Sequence, residues 1–409
     1  MKIAQVESFL MSYQMPEPVK LRFWAGERTI FKRDAMLIRV TTDTGLRGYA
    51  PGPAHERADR EIKQEIGPFL VGKDPCRWEE LRFSAEPEVV KTYRAVEIAL
   101  LDLVSRYEGC TLSDLLGGRK RDRIKLYGSA GMYMEPQKYA EEAHAVIDMG
   151  FPAYKMRPGM GPEKDLETIA LMRQAVGPDA GLMVDAHTWW RMGDKSYSFE
   201  TIAKLAGDMK DYRPVWLEEP LPPDDHAAYR RLREQSDVKL ASGEHEQDDS
   251  GFDDLIRSQA VDYVQMDILC QGGISSARRI FEAVRESGLR FAFHSWGTTL
   301  EILAAAQLGV CWPENVVEWL EYPCYSHRGH PVMYPFPLAD EILAETLNID
   351  NGYLILPDGP GMGINIDETV IERYPFIPGP WSVFKLDSSA DTIAVTGDHS
   401  LKWVRRQDA

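Results

Sequence analysis

Three acidic residues close short apolar runs: Asp185 ends GLMVD (181–185), Glu218 ends PVWLE (214–218) and Glu244 ends VKLASGE (238–244). They stand 33 residues (218 − 185) and 26 residues (244 − 218) apart. That is close to the length of one strand-plus-helix repeat, roughly 30 residues. In a barrel of parallel strands, successive strand ends converge on one face, where active sites are built. Carboxylates gathered there repel one another unless a cation lies between them, and three hard oxygen donors suit Mg²⁺. The spacing therefore predicts a divalent-metal site of Asp185, Glu218 and Glu244, with one Mg²⁺ per subunit. Glu219 and Glu246 adjoin these ligands and are candidates to replace or support them.

Further residues fit the same face. Asp267 and His294 end the next two runs, VDYVQMD and LRFAFH. An aspartate bonded to an imidazole fixes its tautomer and raises its basicity, which makes His294 a usable base. Lys155 and Arg157 lie two apart in AYKMR, so on a strand they share a face. Arginine clamps carboxylates in a bidentate fashion, and lysine serves as an electrophilic contact or, with a depressed pKa, as a base. His187 follows Asp185 by two residues and is expected to act as an acid or a substrate contact. His245 is expected to make an outer or substrate contact. Glu321, with Glu318 as competitor, ends a last run and is expected to hydrogen-bond developing negative charge if protonated.

The elements that must hold these residues alternate. From Ile124, eight short apolar runs are separated by seven amphipathic stretches, which predicts a TIM-type barrel over 123–325. No glycine-rich phosphate fingerprint follows the first run, which argues against an open doubly wound sheet. The first 122 residues read instead as strands, with a turn at Asp43-Thr44-Gly45, then helices near 56–70 and 88–107: an α+β cap. Residues 326–409 are expected to return to the cap, with an extra hairpin or arm from about 376.

At 409 residues and 44% hydrophobic content, the chain can bury a large core. A net charge of −17 with no basic stripe argues against nucleic acid as a partner. Its five scattered cysteines contain no CxxC pair, which fits reduced thiols in the cytoplasm. The first 20 residues lack a secretory pattern, and no run approaches about 18 apolar residues, so no membrane span is expected.

Together these residues resemble the enolase superfamily in its mandelate racemase-like branch. The resemblance rests on AVEIALLDL (95–103), KMR (155–157), VDAH (184–187), WLEEP (216–220) and SGEHE (242–246). It continues through QMD (265–267), FHSWG (293–297) and LPDGPGMG (356–363). It implies a modified (β/α)7β barrel with an α+β cap completed by C-terminal residues. By analogy Asp185, Glu218 and Glu244 match the metal ligands and Asp267–His294 the base. Many members carry Lys-x-Lys where this chain has Lys155-Met156-Arg157, which removes a second base and shifts the expectation from racemisation to dehydration. The Asp-x-His at 185–187 is similar to that of sugar-acid dehydratases in the family. The expected reaction is removal of the proton α to a sugar acid's carboxylate, with loss of the β-hydroxyl to give a 2-keto-3-deoxy acid. Epimerisation, lactone cycloisomerisation and non-catalytic sugar-acid binding are the alternatives. Substrate contacts are expected from a lid at 15–29, which holds Arg22, Trp24 and Arg28, and from Tyr-, Trp- and His-rich stretches near 187–190 and 322–330; a homo-oligomer is expected.

Overall fold

The computed structural model describes residues 1–325 and 333–396. The chain opens on a long antiparallel hairpin, β1 (Ile3–Phe23) with β2 (Gly26–Thr42), turned at Trp24 and Ala25. β3 (Arg47–Gly52) adds to β2 after a turn in which Gly45 takes a φ of +84°, a backbone state that glycine enters without a side-chain clash. The segment 15–29 is therefore strand rather than loop, because Val19 to Phe23 pair with Ile30 to Gly26 across the hairpin. A helix at Pro87–Glu108 packs its apolar side on this sheet and ends on left-handed Gly109.

Eight parallel strands then close on themselves. They are β4 (Arg123–Met132), β5 (Ala153–Arg157), β6 (Gly181–Asp185), β7 (Trp216–Glu218), β8 (Leu240–Ser242), β9 (Tyr263–Met266), β10 (Arg290–Phe293) and β11 (Val317–Pro323). β11 pairs with β4 through Leu320 and Leu126, which seals the barrel. Seven helices cross between the strands, from 136–148 to 299–309. A short hairpin, β12 (Ile349–Asp350) and β13 (Tyr353–Ile355), lies along the outer edge of β4. β14 (Ser382–Leu386) and β15 (Thr392–Val395) run back to the cap, where Phe384 pairs with Arg28 of β2.

Strand alternation sets what fills the barrel. One inward layer is Tyr127, Ala153, Met183, Trp216, Ala241, Tyr263, Ala292 and Trp319, all buried and in mutual contact. Two residues further along the strands, the same face presents Ser129, Lys155, Asp185, Glu218, Gln265, His294 and Glu321. An aromatic plug thus supports a polar layer at the carboxyl ends. Among the described residues no helix is long and apolar enough to cross a membrane.

Candidate active site

A cavity of about 200 Å³ opens at the carboxyl ends of the strands, roofed by β2 and β14 of the cap. Asp185 and Glu244 reach its wall, joined by His187, and ligand atoms of these three lie within 4.8 Å of one another. Asp185 arrives by alternation. Glu244 arrives through a bend at Gly243, whose φ is +133°, and where an added Cβ would lie 2.2 Å from the Gln265 carbonyl. Only glycine permits that approach.

Glu218, the third expected ligand, pairs in register with Asp185 but does not line the cavity. It is fully buried, with Oε1 2.8 Å from Lys155 Nζ and Oε2 accepting from Trp216 Nε1 at 2.9 Å. Lys155 Nζ also sits 2.9 Å from Glu321 Oε1 and 3.6 Å from Asp185 Oδ2. Lys155, expected to contact substrate, does not line the cavity; Glu218 and Glu321 hold its ammonium, with Asp185 further off. Burial opposes its charge, but Glu218 and Glu321 outweigh burial and hold its pKa well above the ordinary lysine range. In this arrangement the ammonium form of Lys155 is the favoured one.

The same competition sets the carboxylates. Burial, unrelieved by the one shared ammonium and aggravated by Asp185 and Glu244, pushes Glu218 up to about 8. Burial also opposes ionisation of Asp185, but the His187 ring, Lys155 and Arg157 overcome it and hold the group well below the usual carboxylate range. Glu321 is likewise held down to about 2 against burial by Lys155, His294 and Arg157. With three cationic side chains facing it, Glu321 is a carboxylate in this arrangement, so the condition for its expected donor role, protonation, is not met here. Glu318 is excluded from the site: it accepts from Tyr263 Oη at 2.8 Å and meets Arg290, on the outward side of β11.

The donor set fits a divalent ion. Asp185 Oδ2, Glu244 Oε2 and Glu219 Oε1 are buried carboxylate oxygens without a well-directed hydrogen bond among the described residues, the first two meeting Arg157 and His294 as ion pairs alone. Buried acceptors are normally satisfied, and carboxylate oxygens are the donors a hard cation takes. A second group of close ligand atoms, Glu219, Glu244 and His245, adjoins the first. Glu219 is held at a φ of +40°, a strained position for a side chain of its size, of the kind that clusters at functional sites. His245 Nδ1 lies 2.6 Å from Glu219 Oε2, and its Nε2 is 2.6 Å from Arg191.

The Asp267–His294 pair is assembled as expected from sequence. Asp267 Oδ2 is 3.1 Å from His294 Nδ1, while its Oδ1 accepts from the Leu269 and Cys270 amides at 2.7 and 3.2 Å. The backbone thus fixes the carboxylate, and the carboxylate fixes the ring. His294 Nε2 is left facing Glu244 Oε2 at 3.2 Å. Burial lowers the imidazole, but Glu244, Glu321 and Asp267 overcome it and lift His294 to about 10. His187 differs: burial outweighs Asp185 and brings it down to about 4, so the ring is neutral at neutral pH. It supports the Asp185 carboxylate through its Nδ1–H hydrogen bond, leaving Lys155 and Arg157 to supply the charge.

Arg157 reaches the cavity with its guanidinium already engaged, Nε 3.1 Å from Asp185 Oδ2 and Nη2 3.2 Å from Glu321 Oε1, stacked 3.9 Å over Trp296. The expected lid contacts are corrected. Arg22 is exposed and bonded to Asp387 at 2.6 Å, and Trp24 packs its edge on Tyr197; neither lines the cavity. Arg28, the third residue of the expected lid, does line it, and so does Arg33, further along the same hairpin. Arg33, Arg191, Trp296 and Glu301 also line the wall and were not singled out from sequence. The aromatic stretch expected near 322–330 falls partly outside the described residues.

Residues 138–370 match the family model for enolase C-terminal domain-like sequences. Residues 6–117 match that for the N-terminal domain of mandelate racemase and muconate lactonizing enzyme. The chain is 29% identical, over 91% of its length and 99% of the relative's, to D-galactarolactone cycloisomerase of Agrobacterium fabrum. It is 27% identical to D-xylonate dehydratase of Haloferax volcanii, over 83% of this chain and 85% of that one. Among solved structures, an enolase-superfamily member from Polaromonas sp. superposes with a TM-score of 0.79 at 27% identity, covering 93% and 99% of the two chains.

Proposed function

The chain belongs to the enolase-like family of mandelate racemase and muconate lactonizing enzyme, and from that premise we propose that it is a Mg²⁺-dependent dehydratase of a sugar acid. The observation that supports this best is the one-sided distribution of acid–base groups. On one side of the cavity stands an imidazole oriented by a carboxylate, His294 with Asp267. On the other stand two cations locked in ion pairs, Lys155 and Arg157. Inversion by two opposed bases needs a proton acceptor on both sides, whereas elimination needs one.

Asp185 and Glu244, with Glu218 on the strand between them, are the residues that would hold the ion. A Mg²⁺ bound there supplies Lewis-acid stabilisation of the substrate carboxylate and offsets the field of Glu244 that keeps His294 protonated. Asp267 holds the proton on Nδ1, so Nε2 is the basic nitrogen. His294 Nε2 removes the proton from C2, the C3–oxygen bond breaks, and the same imidazole returns a proton to the departing hydroxyl as water leaves. The resulting enol becomes the 2-keto-3-deoxy acid. His187, neutral and donating Nδ1–H to Asp185 Oδ1, presents Nε2 to a substrate hydroxyl as a hydrogen-bond acceptor rather than as an acid.

A second reading, cycloisomerisation of a lactone or anhydro sugar acid, is supported by the full-length cycloisomerase relative. It uses the same proton abstraction, with the leaving oxygen tethered to the ring. Incubating the Mg²⁺-loaded protein with a library of sugar acids and their lactones separates the two. A keto acid lighter than its substrate by one water supports dehydration; a keto acid of unchanged mass supports cycloisomerisation. No keto acid from any member of the library contradicts both.

A further inference from the structure

The roof of the cavity carries two arginines that form no ion pair among the described residues. Arg28 and Arg33 on β2 are both buried and both line the cavity. Arg28 donates from Nε to Ser382 Oγ at 3.4 Å, and its Nη1 meets the Met132 sulfur at 3.5 Å. Arg33 donates to Tyr334 Oη and to the Trp296 carbonyl, each at 2.5 Å. Among the described residues, neither guanidinium has a carboxylate within ion-pairing distance. The nearest acid in sequence, Asp34, is taken by Lys32 at 2.9 Å and by the Ser12 hydroxyl at 2.7 Å.

The two cations also share a platform. Their central carbons stand 4.7 and 4.8 Å from the Trp381 ring, so like charges are gathered about one aromatic side chain. Burying a charge without a partner is costly, and gathering two is costlier, unless the site is built to receive an anion. Ring faces and the neutral acceptors hold the guanidiniums in place but leave their net charge uncompensated. Trp296 links this roof to the floor, since it lies 3.9 Å from Arg157 and 5.9 Å from Arg33.

We infer that Arg28 and Arg33 form a subsite for a second anionic end of the substrate, and that the sugar acid is a diacid, with one carboxylate at the floor of the cavity and the other at the roof. A planar guanidinium binds a carboxylate through paired N–H donors, which a hydroxymethyl terminus cannot match. This rests on the proposed sugar-acid reaction and narrows its substrate class. A phosphate ester at the far end would present related charge chemistry, so the test must distinguish the two.

The experiment compares aldarates, aldonates of the same configuration and 6-phosphoaldonates. It measures binding to the Mg²⁺-loaded protein by tryptophan fluorescence and turnover by keto-acid formation. The expected result is at least tenfold tighter binding of a diacid than of its matched aldonate. Arg28→Met should raise KM for that diacid tenfold or more with little change in kcat, and Arg28→Lys should recover part of the loss. A purely structural Arg28 would not give that split. Equal binding of diacid and aldonate across the panel, or a preference for the phosphorylated acid, overturns the assignment. Dehydration of aldonates alone overturns the diacid subsite and leaves the reaction standing. Selective diacid binding with no turnover of any member supports the subsite and contradicts the reaction.

Discussion

His294 Nδ1 and Asp267 Oδ2 are 3.1 Å apart, on neighbouring strand ends, and the aspartate's other oxygen is pinned by two backbone amides. The bond is therefore a fixed orienting contact, set by the backbone turn after β9. It decides which imidazole nitrogen faces the cavity.

Asp267→Asn should keep the ring in place but lose the charge that stabilises its protonated form. General acid–base catalysis contributes about 10²- to 10⁴-fold. A fall in kcat within that span is expected, with KM changed only a few-fold. Steady-state kinetics check this, and an unchanged kcat would remove Asp267 from the account.

Lys155→Met should act on stability before it acts on chemistry. Removing the ammonium leaves Glu218, Glu321 and Asp185 without their shared buried cation. Breaking a buried ion pair from one side costs about 3–5 kcal/mol. Urea unfolding in the absence of divalent ions should show a loss of that order. The double variant Lys155→Met, Glu218→Gln should recover part of it.

Metal binding should be visible without substrate. A ligand that binds only the folded chain stabilises it by about 2.7 kcal/mol at one hundred times its Kd. Mg²⁺ should therefore raise Tm in a dose-dependent way. Asp185→Asn or Glu244→Gln should abolish the rise, while Glu318→Gln, outside the cavity, should leave it intact.

His226 offers a pH test outside the cavity. Its ring meets Glu246 and Asp254, each at 2.7 Å, and the bond to Glu246 lifts it to about 9, against a lesser effect of burial. A histidine whose folded pKa is raised contributes stability below its unfolded value, about 6.5, and loses it as pH rises through the folded value. The Tm advantage of the wild type over His226→Gln should be full below pH 6.5 and vanish by about pH 9–10. An advantage that grows with pH would contradict the assignment.

Much of the site was legible because strand alternation is a rigid rule. Asp185, Glu218, His294 and Glu321 each follow, by two residues, a member of the packed inner layer: Met183, Trp216, Ala292 and Trp319. The same rule separates Glu321 from Glu318, three positions away and on the other face. Depth along the barrel axis was not legible. Whether Lys155 meets substrate or lies under it depends on how three carboxylates share one ammonium. The roof was hidden for another reason. Arg28 is placed opposite Phe384 by pairing between segments more than 350 residues apart, and nothing local in MPEPVKLRFWAGERT announces that. The same segment reads as a polar loop until its own hairpin partner is known.

The central claim is that His294 removes the proton α to the substrate carboxylate. It is tested most directly by proton NMR in D₂O, with Mg²⁺ and the best substrate of the library, comparing wild type with His294→Asn. The wild type should form the 2-keto-3-deoxy acid with deuterium at C3, and the folded variant should form no product and exchange no proton at C2. Product formation by His294→Asn at the wild-type rate would contradict the account.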